Sequence, residues 1–141
     1  MNTGSPHLIR FVKYIDDYPV YEEGKRIRFD ALFKPGGTNV NFVELLPDNT
    51  IYVRTYERGV ENETLSCGTG VTAAALAASL RGYTSPVNVK TLGGELSVEF
   101  KSTHLPQSTG QAGLPTGQAG TFSEIYLIGP AKMVFEGDLD L

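Results

Sequence analysis

The segment 68–81 constrains the fold more than any other part of the chain. Ala73, Ala74, Ala75, Ala77 and Ala78 with Leu76 and Leu80 give it high helix propensity, and Gly82 supplies the expected stop. Beyond its first turn only Thr72, Ser79 and Arg81 are polar. A helix that is apolar nearly all round belongs inside a core, so the rest of the chain must curl around it. Strand-like runs rich in β-branched and aromatic residues stand ready to do so at 8–15, Asn39–Leu46, Thr50–Glu57, Val87–Thr91, 96–100, 124–128 and 132–135. Pro47-Asp48-Asn49 and Gly93-Gly94 mark short hairpin connections between neighbouring runs. The pattern predicts an α+β domain in which a curled, mostly antiparallel sheet surrounds one central buried helix. A short second helix is expected within 16–28.

The length of 141 residues suits one domain, 1–141, with a single core, and the 40% hydrophobic composition is that of an ordinary globular protein. A formal net charge of -4, with only 12 Lys and Arg spread thinly, offers no basic stripe for nucleic acid. No stretch approaches the roughly 20 apolar residues that span a bilayer, and residues 1–6 lack the features of a signal peptide. The expectation is a cytoplasmic protein with neither a nucleic-acid nor a membrane partner. Residues 103–121 carry Thr-Gly-Gln-Ala-Gly twice, at 109–113 and 116–120, and read as a flexible, duplicated Gly/Pro-rich connection between two strands.

One cysteine excludes an internal disulfide, and two histidines far apart in sequence give no zinc-type ligand cluster, so no metal is expected. Cys67 therefore stands as a lone thiol. Free cysteines are commonly buried as small apolar side chains, but this one sits where a polar loop enters the buried helix. Unpaired backbone N–H groups and the positive end of the helix dipole favour a thiolate there. Gly68 and Gly70 leave the first-turn amides uncovered, so that a substrate carboxylate can lie beside the sulfur. Proton transfer and carboxylate binding then share one place, which suits removal of an α-proton from an amino acid. A phosphate-binding loop is the competing reading, yet the third glycine of a dinucleotide fingerprint and the Gly-Lys-Ser/Thr of a Walker A loop are missing. A Cys–His nucleophile is also open, with His7 or His104 as base.

Gly4-Ser5-Pro6-His7, Asn39-Val40-Asn41-Phe42, Tyr56-Glu57-Arg58-Gly59, Glu63-Thr64, Ser66-Cys67-Gly68-Thr69-Gly70, Gly129-Pro130-Ala131 and Phe135-Glu136-Gly137 follow one another in an order and at gaps that resemble the diaminopimelate epimerases. These are cofactor-independent isomerases that invert one stereocentre of diaminopimelate on the route to lysine and cell-wall peptide. The family fold has two similar domains, each a curled sheet around a helix with a cysteine at its start, and this chain resembles the carboxyl-terminal one. The resemblance implies that Cys67 is one of two thiols that remove and return the proton, and that Gly68 and Thr69 offer backbone N–H groups to the reacting carboxylate. It implies that Arg58 pairs with the distal carboxylate, that Glu57 meets an ammonium group and tunes the nearby thiol, and that Asn39 hydrogen-bonds the distal end. The resemblance also implies that His7 adjusts the partner cysteine. Ser5 stands where many members carry a substrate-binding Asn, and its shorter side chain contacts the ligand less directly.

The family's mechanism needs two thiols and this chain has one. The expectation is a half-enzyme, from a shortened gene or an isolated domain, whose activity requires the amino-terminal half or a second copy of itself. Amino-acid racemases of related fold, of the proline racemase type, and a non-catalytic ligand-binding or interaction module are the alternatives.

Overall fold

The alternating apolar residues of 39–57 build the centre of the molecule. In the computed structural model, which describes residues 1–103, 121–131, 133, 136 and 137, they form β2 (Asn39–Leu46) and β3 (Thr50–Glu57), paired antiparallel with Val43 opposite Val53 and Asn41 opposite Thr55. The turn between them places Asp48 and Asn49 at positive φ, as the Pro47-Asp48-Asn49 signal implies. On one side of β2 lies β1 (His7–Phe11), parallel to it, with His7 beside Asn39. The other edge of β3 is shared: its first residues pair in parallel with β5 (Val87–Thr91), and its last pair antiparallel with the short β4 (Asn62–Thr64). β6 (Gly94–Ser102) and β7 (Phe122–Ile128) continue the sheet as antiparallel neighbours. The order is β1-β2-β3-β5-β6-β7, mostly antiparallel with two parallel pairs.

The alanine-rich segment forms α2 (Gly68–Ser79), which touches β1, β2, β3, β5, β6 and β7. The sheet therefore curls around this helix as predicted, and the fold is α+β. Ala74, Ala75, Leu76 and Ala78 meet Val43, Ile51, Val53, Val87, Val89 and Val98 on the inner face. Small side chains on the helix let it approach the sheet closely. The helix closes with Leu80 as its cap and Gly82 at φ +97.

The single core expected from the sequence is in fact two. On the outer face of β2 and β3, α1 (Val20–Arg28) covers Val40, Phe42, Tyr52 and Tyr56 with Ile15, Val20 and Ile27. Gly24 lets α1 lie directly on the Tyr56 ring, where a Cβ would collide. Arg54 fastens this layer, with two bonds to the Glu63 carboxylate and Nη1 donating to the carbonyls of Ile15 at 2.7 Å and Asp16 at 3.1 Å. The first strand ends at Phe11 rather than at 15, because Tyr14 turns into the left-handed region and the Glu44 carboxylate takes the N–H groups of Tyr14 and Ile15, each at 3.0 Å. Thr103 and Thr121, the ends of the duplicated segment, are hydrogen-bonded to each other, while 104–120 and most of the expected strand 132–135 lie outside the described residues. Among the described residues no helix is long and apolar enough to cross a membrane.

Candidate active site

The entry into α2 is held from two sides. Leu65 O accepts the Gly93 N–H of the β5–β6 turn at 2.8 Å, which fixes the loop just before the helix. Cys67 is extended at φ -130 and ψ 108, and its carbonyl accepts the first helical bond from Val71 at 2.8 Å. The N–H groups of Gly68, Thr69 and Gly70 consequently have no acceptor within the helix. Cys67 is half-buried and has the Thr69 hydroxyl 3.5 Å from its sulfur. The two glycines serve different ends from the uncovered amides expected of both. Gly70 is buried against β2, where a Cβ would strike the Asn41 amide, and a Cβ on Gly68 would come within 3.1 Å of Leu127 on β7. Close packing as well as access therefore favours glycine at 70, while at 68 the end of the Leu127 side chain would have to give by a few tenths of an ångström.

From the other side the amino-terminal segment folds over the helix start. Gly4 adopts φ +110, and the Thr3 hydroxyl donates to Thr69 O at 2.7 Å. The turn delivers Ser5 and His7 to the helix. His7 is 3% exposed at the start of β1. Its Nε2 lies 2.9 Å from Ser5 Oγ and 3.0 Å from Thr69 Oγ1, and its Nδ1 lies 2.8 Å from Asn41 Oδ1. Burial pushes the His7 pKa below its ordinary value, and the amino terminus and Arg58 act in the same direction. The Asn41 bond and the Glu57 carboxylate oppose that shift without reversing it.

The third group of residues comes from the end of β3. Asn39, 4% exposed, accepts the Arg58 N–H on Oδ1 at 2.8 Å and donates through Nδ2 to Pro6 O at 3.0 Å and Ser5 Oγ at 3.3 Å. Its amide is thus occupied in tying β1 to the turn after β3. The Arg58 guanidinium reaches Gly36 O at 3.3 Å and pairs with no carboxylate among the described residues, so Glu57 and Arg58 do not form an ion pair with each other. Glu57 lies near enough to His7 to act on its charge.

Cys67, Thr69, His7, Ser5, Asn39 and Arg58 therefore form one continuous hydrogen-bonded series, with Gly68 at the helix start and Glu57 beside it. His104 and Phe135, both singled out in the sequence, lie outside the described residues. The sequence reading assigned no role to Asn41 or Thr55, two buried polar side chains joined at 2.7 Å behind His7. Their signal was a break in alternation, since Asn41 and Thr55 occupy inward positions that Val43 and Val53 fill further along the same strands. An arrangement with a half-exposed thiol, amides that have no acceptor within the helix and a guanidinium that pairs with no carboxylate among the described residues can bind an anion at each end of a small molecule and exchange a proton between them.

The family model described as diaminopimelate epimerase matches residues 1–115. The diaminopimelate epimerase of Flavobacterium psychrophilum is 40% identical over 138 residues, covering 96% of this chain and 48% of that protein. That of Aquifex aeolicus is 42% identical over 142 residues, covering 99% and 44%. Among solved structures, a phenazine biosynthesis protein of the PhzF family from Bacillus anthracis is similar at 26% identity and a TM-score of 0.49, over 71% of this chain and 31% of that one. The chain spans about half the length of the curated relatives it matches.

Proposed function

The chain belongs to the diaminopimelate epimerase family, and we propose that it forms one half of an epimerase site that converts L,L-diaminopimelate to the meso isomer in lysine biosynthesis. The observation that carries this reading is the series from Cys67 through Thr69 to His7, set at a helix start whose amides are free.

In this reading the reacting carboxylate of the substrate lies on the Gly68 and Thr69 N–H groups. The Cys67 thiolate then takes the α-proton: the C–H bond breaks, an S–H bond forms, and the electron pair spreads into the carboxylate. The same amides stabilise that charge as it develops, which is where preorganised donors lower a barrier most. A second thiol returns a proton to the opposite face. This chain has one cysteine, so that thiol belongs to the amino-terminal half of the enzyme or to a second copy of this chain. Arg58 takes the distal carboxylate with a guanidinium that no acid among the described residues occupies, and Glu57 meets the ammonium group. A substrate with charged groups at both ends fits these residues better than a simple apolar amino acid does. His7 adjusts the thiols through the Thr69 and Ser5 hydroxyls, and Ser5 reaches the ligand less than a longer Asn would. Asn39 supports the distal end through Arg58 and Ser5, which its amide holds. A cytoplasmic setting keeps such a thiol reduced.

The test is incubation with L,L-diaminopimelate in deuterated water, following deuterium at the α-carbon and the meso isomer. The chain alone is expected to give neither. Addition of the amino-terminal half of a relative is expected to give both, and Cys67→Ala to abolish them. Turnover by the chain alone that Cys67→Ala removes would instead assign the second thiol to a second copy. Turnover that survives Cys67→Ala, or none with the added half, would sink the reading.

A further inference from the structure

We propose that Asn41 is a positioning residue that holds His7 in the Nδ1–H tautomer and so presents Nε2 as an acceptor to the hydroxyls beside Cys67. The consequence for catalysis rests on the function proposed above; the tautomer itself does not.

The directions of the Asn39 bonds follow from groups whose roles are unambiguous. The Arg58 backbone N–H can only donate, so the Asn39 atom that meets it is Oδ1, and Nδ2 must face Pro6 O, which can only accept. Nδ2 also reaches Ser5 Oγ at 3.3 Å, making Ser5 an acceptor there; its own proton can go to His7 Nε2 at 2.9 Å or to Thr69 Oγ1 at 3.3 Å, and the shorter contact favours His7. Nε2 then acts as the acceptor, and a neutral ring carries its proton on Nδ1. That proton points at Asn41 Oδ1, 2.8 Å away. The two sides of the ring favour the same tautomer.

Asn41 is well placed to enforce it. The side chain is 0% exposed, its Nδ2 donates to Thr55 Oγ1 at 2.7 Å, and Thr55 is the residue directly opposite in the β2–β3 register. Gly70 on α2 gives the amide room that any other residue would take. A rigid acceptor on Nδ1 sets what Nε2 can do, as partners on the far nitrogen of a histidine generally do. With Nε2 free of its proton, the Thr69 hydroxyl, 3.0 Å from Nε2 and 3.5 Å from Sγ, can pass its own proton to Nε2 as it takes the thiol proton, so that the S–H bond is exchanged for an Nε2–H bond and a thiolate faces an imidazolium. An amide does this without adding charge. Around His7 the charged groups are the amino terminus, Glu57 and Arg58, with Cys67 beyond Thr69, and an aspartate at 41 would add a buried anion that stabilises the imidazolium.

The experiment is long-range proton–nitrogen correlation NMR on protein labelled with 15N-histidine, in a His104→Gln background so that His7 alone is observed. The wild-type residue at 41 is expected to give the Nδ1–H pattern in the neutral ring. Asn41→Leu is expected to move the population to Nε2–H, a change that loss of packing alone would not produce. Asn41→Asp is expected to keep Nδ1–H and to raise the His7 titration midpoint by about one to three pH units. An Nε2–H pattern with Asn41 present, or an unchanged tautomer in Asn41→Leu, would overturn the proposal. Should Asn41→Leu not fold, an unmoved midpoint in Asn41→Asp would overturn it as well. No substrate or turnover enters the measurement, so a failed epimerase assay and a failed tautomer assignment remain separate results.

Discussion

The outer and inner faces of the same two strands are packed on opposite terms. Outside, α1 rests on rings: Tyr18 stacks tilted on Phe42 with centroids 4.8 Å apart, and Tyr21 meets Tyr56 at 5.8 Å. Inside, α2 offers little beyond methyl groups, and at its amino end the sheet presents His7, Asn39, Asn41 and Thr55 in place of apolar side chains. Large rings bury much area and stabilise strongly, whereas buried polar groups are tolerated only when each finds a partner. The difference teaches where stability and chemistry reside. The outer layer holds the sheet, and the inner polar end forgoes burial to keep a histidine aligned beside the thiol.

The comparison breaks most directly at Phe42. Phe42→Ala removes a fully buried ring from the outer core and is expected to cost about 3–5 kcal/mol in urea unfolding. A loss of less than about 1 kcal/mol would show that the outer layer is not the main support. Two glycine substitutions then separate the faces. Gly24→Ala drives a methyl group into the Cβ and ring of Tyr56, which cannot withdraw, and is expected to destabilise by about 1–3 kcal/mol. Gly70→Ala strikes the Asn41 amide, which is fully buried and bonded to His7 and Thr55, so the helix propensity it gains, about 0.8–1 kcal/mol, is offset by about 1–3 kcal/mol for disturbing those bonds. Its net stability loss is expected to be smaller than that of Gly24→Ala, while epimerisation with the amino-terminal half supplied falls about 10- to 100-fold through misplacement of His7. Equal stability losses at 24 and 70, with activity intact at 70, would erase the distinction between the two faces.

What the sequence alone conveys divides along the same line. β2, β3 and β5 have the expected bounds because their β-branched and aromatic residues coincide with their pairing. α2 was evident because alanine in that density permits little else. β4 was not, since Asn62, Glu63 and Thr64 are a strand by virtue of the β3 edge and the Arg54–Glu63 pair, neither of which is local. The early end of β1 is likewise set by Glu44, about thirty residues away in sequence, acting on Tyr14 and Ile15. The outer core was hidden because a polar-looking segment at 16–28 buries only Val20, Gly24 and Ile27, whose helical spacing carries too few apolar side chains to announce the rings beneath it. At the site, Ser5, His7, Cys67 and Thr69 stood out by motif. Asn41 lay within a quoted motif but received no role, because a polar residue in a strand ordinarily faces water, and the position of Gly70 and the register with Thr55 are what place this one against the helix.

The smallest expected effect is the pH dependence that His7 brings to the inner face. Burial lowers its pKa in the folded state from the ordinary 6.5, so the native protein prefers the neutral ring. Between that lowered value and 6.5 the unfolded chain binds more protons than the folded one, and stability rises with pH across the window. Above 6.5 neither state is protonated and the contribution is fully present; as pH falls through the window it is lost. In the His104→Gln background, unfolding midpoints measured across this range are expected to climb with pH and then level off. His7→Gln should flatten the climb whatever it does to the midpoint itself. Phe42→Ala should lower every midpoint and leave the slope alone, because the outer core places no group that titrates there. A slope that persists in His7→Gln, or vanishes in Phe42→Ala, would place the proton linkage outside the polar end of the inner face.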